Sequence, residues 1–180
     1  MNRIILLVIL LSAGLFAKAQ QANTVKNVKG LKANFSAPVL AAYQESAKTK
    51  IEDFYQYLQL LSDVSVSKEL KNEVRLNILF LFKNKEVLMK DIASNGKNSL
   101  PLSLLISQIE NTPSLKFEVG EISSQQIEPD SWQTTYTVKV LNDGKKSELN
   151  LSQRVYLTKD SKTFGGNSKE VWQTFLGEIE

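Results

Sequence analysis

The chain has 180 residues, of which 42% are hydrophobic and 23% charged, with a formal charge of +3; this suits one ordinary domain with its own core. It contains no cysteine and no histidine. That excludes disulfides, serine–histidine and cysteine–histidine nucleophile systems, and the usual side-chain ligands of zinc, copper and haem iron.

Residues 1–19 carry Arg3, an apolar run from Ile4 to Phe16 and the small-x-small triplet Ala17-Lys18-Ala19. This is the pattern of a cleaved signal peptide. The run is short of the ~20 apolar residues that a membrane span needs. We expect the mature chain to begin near Gln20 and to be exported, to the periplasm or outside the cell. No lipid anchor is expected, because attachment after processing needs a cysteine. Loss of Arg3 and Lys18 lowers the charge from +3 to +1. Residues 20–36 read as a flexible basic arm or linker holding Lys26, Lys29 and Lys32. The alternative is a docking peptide that uses Val25, Val28, Leu31 and Phe35. With the net positive charge coming from the leader and the arm, and the rest of the chain at −2, no nucleic-acid partner is expected.

The domain proper is expected over residues 37–180. Tyr43, Ala47, Ile51, Phe54, Leu58 and Leu61 fall on one face of a long helix with Pro38 in its first turn. Ser67 is the expected N-cap of a second helix lined by Leu70, Val74, Ile78 and Leu81. Leu79, Phe80 and Phe82 predict that this helix runs into the interior. Asn84–Ile92 reads as a short strand, Asn95-Gly96 as a turn, and Ser99 as the cap of a third helix with Pro101 in its first turn and Leu102, Leu105, Ile106 and Ile109 facing the core. Asn111-Thr112-Pro113 ends that helix.

Beyond Pro113 the period changes to two. Leu115, Phe117 and Val119 alternate with polar residues, and so do Trp132, Thr134, Tyr136, Val138 and Val140. Asn142-Asp143-Gly144 is a hairpin turn. Leu149, Leu151, Val155 and Leu157 line the return strand, with Gln153 interrupting. Residues 159–169 read as a polar loop. The last strand, Val171 to Ile179, carries Val171, Phe175 and Ile179 on one face and Trp172, Thr174 and Leu176 on the other. Such a strand is expected to be central in its sheet or part of an interface.

Helices first and antiparallel strands later is an α+β order. The amphipathic first helix IEDFYQYLQLL, the helix-to-strand passage LNILFLFKNKEVLMKDI, the segment SNGKNSLPLSLLISQI and the closing EVWQTFLGEIE together resemble the NTF2-like (cystatin-like α+β cone) superfamily. The resemblance implies N-terminal helices packed on a curved antiparallel sheet, with a bent sheet wrapping the first helix. It implies either a non-catalytic binder or a ketosteroid isomerase-like or polyketide cyclase-like enzyme.

An isomerase-type site needs a carboxylate base and a tyrosine donor in a dry pocket. Asp53 and Asp91 are the carboxylates available for that role, beside Tyr55, Tyr57 and Tyr136. The aromatics Tyr55, Trp132, Tyr136 and Trp172 are the expected ligand wall, because each joins apolar area to one polar handle. The favoured reading is an exported, non-catalytic binding module, enclosing a small apolar ligand or docking a protein of the cell envelope. The alternatives are the small enzyme and a structural envelope component without ligand. No cofactor and no metal are expected. A homodimer through the sheet is the expected self-association.

Overall fold

The computed structural model describes residues 35–94 and 96–180. The expected signal peptide, nearly all of the expected arm, and Asn95 lie outside the described residues. Helix α1 spans Ala37–Ser62 and α2 Lys68–Leu81. Strands β1 (Leu88–Lys90) and β2 (Ser99–Pro101) form a small antiparallel pair, and α3 follows over Leu102–Glu110. Five antiparallel strands complete the domain: β3 (Lys116–Val119), β4 (Ser123–Glu128), β5 (Ser131–Asn142), β6 (Lys145–Phe164) and β7 (Asn167–Ile179). The sheet order is β3-β5-β6-β7, with β4 sharing the β3 side of β5. This is the α+β layout that the residue pattern and the resemblance imply.

The sheet wraps α1, and α1 reaches both of its edges. At the β3 edge, Gln59 Oε1 accepts from the Phe117 N–H at 3.2 Å, and Ser62 Oγ donates to the Leu115 carbonyl. At the β7 edge, Lys50 Nζ donates to the Thr174 carbonyl at 2.6 Å. One helix can satisfy both edges only if the sheet curls around it. The apolar stripe of α1 then fills the interior, with Ala47, Ile51, Phe54, Leu58 and Leu61 at 2% exposure or less. Burial on this scale is the main stabilising term of the fold.

Local signals explain most boundaries. Ser67 Oγ accepts from the Leu70 N–H and caps α2 as expected. Asp143 and Gly144, at φ 46° and 75°, form the two-residue hairpin turn between β5 and β6. Val74, Ile78 and Leu81 bury as expected, whereas Leu70 and Phe80 are exposed. Leu70 lies in the first turn, which neighbours cover from fewer sides. Phe80 stands two residues from Ile78, so the helical rotation turns it to the opposite face.

Four further expectations are corrected. Ser99 does not cap a helix. Ser99–Pro101 pairs with Leu88–Lys90, and α3 begins one residue after the proline, whose missing N–H the strand end tolerates. The polar segment 159–169 is no loop but the far end of β6 and the start of β7, turned by Gly165-Gly166 at φ 54° and 86°. Its described side chains are exposed on both faces, so no apolar alternation marked it. Strand β7 is not central: it ends the sheet. Finally, Gly177-Glu178 form a bulge opposite Arg154, which brings Ile179 to the same side as Leu176, at 2% exposure. Strand β4 had no predicted counterpart, because SSQQIE lacks an apolar period.

Candidate functional site

The structure places Tyr55 on α1 and Trp132 and Tyr136 on β5, all inside the core at 2%, 2% and 4% exposure. Tyr55 and Tyr136 meet: their hydroxyls lie 3.3 Å apart and their rings pack edge to face at 6.0 Å. The Tyr136 hydroxyl also donates to Gln153 Oε1 at 2.8 Å, and Gln153 Nε2 donates to the Gly177 carbonyl at 3.1 Å. A polar line therefore crosses the interior from α1 through β5 and β6 to the β7 bulge. Burial raises the pKa of both phenols, so both stay neutral donors at any ordinary pH. Gln153, which breaks the apolar alternation of β6, is fully buried and satisfied at both ends of its amide. An unexplained polar residue at an inward position is the sequence signal for such a network.

Trp132 stands on the same face of β5 with Thr134 between it and Tyr136; the Thr134 hydroxyl bonds that of Ser124 at 3.1 Å. Trp172 lies far along β7, opposite Lys159, partly buried against Phe35 and beneath the Lys159 ammonium. The structure thus brings Tyr55 and Tyr136 into direct contact and leaves Trp132 and Trp172 apart from them. Asp91 is buried at 8% exposure, where its carboxylate accepts from the Ser94 N–H and the Gln108 side chain and organises the turn after β1. Asp53 is half-buried on α1. Neither carboxylate hydrogen-bonds a tyrosine among the described residues, so the base-and-donor pair is not assembled there.

Open clefts lie at the surface. The largest of those described, of about 710 Å³, sits at the ends of β3, β5 and β6 and is lined by Gln59, Phe117, Val140 and Leu141 together with Lys116, Lys139, Lys146, Glu118, Ser147 and Glu148. Its size falls within the range of small-molecule sites. The Phe117 ring packs on Tyr55 at 5.7 Å, so the cleft wall leans on the interior tyrosine pair. Lys116 and Lys146 flank Leu141 from the strands on either side, roughly 10 Å apart at two strand spacings. The next row reads Glu118–Lys139–Glu148, with Lys139 Nζ 3.3 Å from Glu118. Among the described residues neither Lys116 nor Lys146 pairs with a carboxylate. No group of His, Cys, Asp and Glu among the described residues could hold a metal ion.

A second cleft, of about 630 Å³, follows the β7 bulge and touches Lys83, Val87, Leu88, Tyr156 and Leu176. Tyr156 covers Gly177 there: a Cβ on Gly177 would stand 2.5 Å from Tyr156 Cε2. The Tyr156 hydroxyl donates to Glu178, whose carboxylate shares Arg154 with Glu128.

No protein-family model matches the chain, and no curated protein matches it. Among the solved structures similar in shape are two that cover most of this chain. One is SalBIII, an epoxide hydrolase/cyclase-like enzyme in pyran ring formation in the polyether salinomycin, at 13% identity and a TM-score of 0.38, covering 74% of this chain and 92% of that one. The other is a scytalone dehydratase-like protein from Novosphingobium aromaticivorans, at 8% identity and a TM-score of 0.43, covering 81% and 91%. Likeness at this level carries no argument about chemistry.

Proposed function

We propose that this chain is an exported, non-catalytic binding protein whose ligand is a small amphipathic anion held in the cleft at the ends of β3, β5 and β6. The observation that carries the reading is the row Lys116–Leu141–Lys146: two cations bracket an apolar side chain on the outer face of the sheet, at a cleft of ligand size. An acyl or aromatic body fits against Leu141, and a carboxylate or phosphate fits either lysine. Tyr55 and Tyr136 act from behind Phe117, keeping that wall in place through a buried hydrogen bond. The interior supports binding over catalysis, since its tyrosines bond to each other and to an amide rather than to a carboxylate.

The test is an NMR titration of the chain from Gln20 with decanoate, decanol and decylamine. Saturable amide shifts at Phe117, Val140 and Ser147 with decanoate, weakened about tenfold by Lys116→Glu/Lys146→Glu, are the expected result. Equal response to all three probes, or no loss on charge reversal, overturns the anionic ligand. Export is checked separately by N-terminal sequencing of the secreted material, where the expected first residue is Gln20.

A further inference from the structure

Exposed apolar surface is unevenly spread over this molecule. Among the described residues, the large apolar side chains left in water stand mostly on the helices and their loops, with Ile127 alone coming from the five-stranded sheet. Two of them form a pair. Leu76 and Phe80, one turn apart on α2, are 49% and 73% exposed. They lie opposite Val74, Ile78 and Leu81, which α2 buries. Exposed apolar residues scattered singly are ordinary, whereas a bulky adjacent pair in the middle of one helical face marks a contact surface.

Charge orders the rest of that face. Glu69 and Glu73 continue the stripe toward the start of α2, and both are exposed. Past the end of the helix come Lys83 and Lys85, also exposed, with Lys83 Nζ 5.9 Å from the Tyr156 ring centre. Among the described residues none of these four charges joins an ion pair. The surface therefore runs from acid through apolar to base. Glu69 and Lys83 each stand seven residues from Leu76. A surface with this order is its own complement when turned end over end about Leu76. Leu76 then meets its counterpart, and the Phe80 ring lies along the partner's Leu76. Glu69 comes level with the partner's Lys83, about 10 Å from the axis at either end. An anionic lipid surface fits this face poorly, because it would be repelled by Glu69 and Glu73.

We infer that two copies of this chain associate through α2, antiparallel about a twofold axis at Leu76. Leu76 and Phe80 are the apolar centre, and Glu69 and Glu73 of each copy face the basic end of the other. The interface is helical, unlike the sheet-mediated contact expected from the sequence. A contact built on one pair of helices is at the small end of specific interfaces, so the association depends on concentration. None of these residues lines the anion cleft.

The test is sedimentation equilibrium of the chain from Gln20 between ~10 µM and ~1 mM, the range in which a small interface shows itself. The mass is expected to rise toward two chains in the parent and to stay at one in Phe80→Asp. Two charge-reversed chains, Glu69→Lys/Glu73→Lys and Lys83→Glu/Lys85→Glu, are each expected to associate at least about tenfold more weakly than the parent. Their equimolar mixture should recover the parental association, because every end contact again joins opposite charges. Recovery also shows that both variants fold. A parent that stays monomeric throughout, a Phe80→Asp chain that associates like the parent, or a mixture no stronger than its components overturns the inference.

Discussion

The two faces of the β5–β6 ribbon are built from opposite materials. The face toward α1 carries Trp132, Tyr136, Val138, Val140, Leu151, Val155 and Leu157, all below 5% exposure, with Gln153 and Thr134 as its buried polar members. The outer face carries Gln133, Thr135, Thr137 and Lys139 across from Arg154, Ser152, Asn150 and Glu148. On the inner face the Tyr136 hydroxyl, the Gln153 amide and the Thr134 hydroxyl all have partners, and leaving one unpaired there costs about 1–3 kcal/mol. On the outer face water serves as partner, and side chains are free to serve recognition. The inner face should therefore answer to packing and hydrogen-bond completeness, the outer face to charge.

The largest effect belongs to the inner side. Phe54 is fully buried and packs edge to face with both Tyr55 and Phe82. Phe54→Ala opens a cavity where α1 meets β7 and should destabilise the fold by about 3–5 kcal/mol in urea unfolding. A loss under ~1 kcal/mol would mean that the interior is not packed as described. Next comes Gln153→Leu, which keeps the volume and removes both amide bonds. It strands the Gly177 carbonyl and takes one acceptor from Tyr136, so a loss of about 1–3 kcal/mol is expected. Tyr136→Phe in that background should cost much less than Tyr136→Phe alone, because the partners share one network.

The pH dependence has its own sign. Tyr55 and Tyr136 have folded pKa values raised above 10.0 by burial, so they stay protonated after the unfolded phenols begin to ionise. The unfolded state then binds fewer protons, and stability is lost as pH rises above 10. Each of the two tyrosines contributes up to about 1.4 kcal/mol per pH unit. Lys50 works the other way: burial lowers its pKa, so it favours the fold as pH climbs toward 10.5. The phenolate absorbance of these two tyrosines should appear only with unfolding. Tyr55→Phe should flatten the alkaline slope; an unchanged slope would place Tyr55 in contact with water.

Much of the inner face was legible in the sequence, because burial on one side writes a period. The stripe of α1 and the alternation from Trp132 to Val140 both read correctly. What did not read was structure without an apolar period: polar β4, and the extension of β6 and β7 beyond Lys159, whose ladder simply propagates from the anchored part of the hairpin. The β7 bulge was equally silent, since one extra residue changes the face of Ile179 without changing composition. Of the candidate site, the Tyr55–Tyr136 contact could be suspected from residue type alone. The Lys116–Leu141–Lys146 row could not, because it depends on the register of three strands that lie 25 and five residues apart along the chain.

The smallest expected effect tests the outer face. Lys139 stands between Glu118 and Glu148, with its side chain 57% exposed and that of Glu118 73% exposed. Water screens such a pair, so Lys139→Ala should change stability by less than about 1 kcal/mol, and raised salt should shrink even that. The same substitution deletes one of three cations lining the cleft while leaving Lys116 and Lys146 in place. Decanoate affinity should therefore fall modestly, by about two- to threefold at low ionic strength, as expected for the loss of one screened charge rather than a direct contact. A stability loss as large as that of Gln153→Leu would show that the charged row supports the curl of the sheet, and the division between a packing face and a recognition face would not hold.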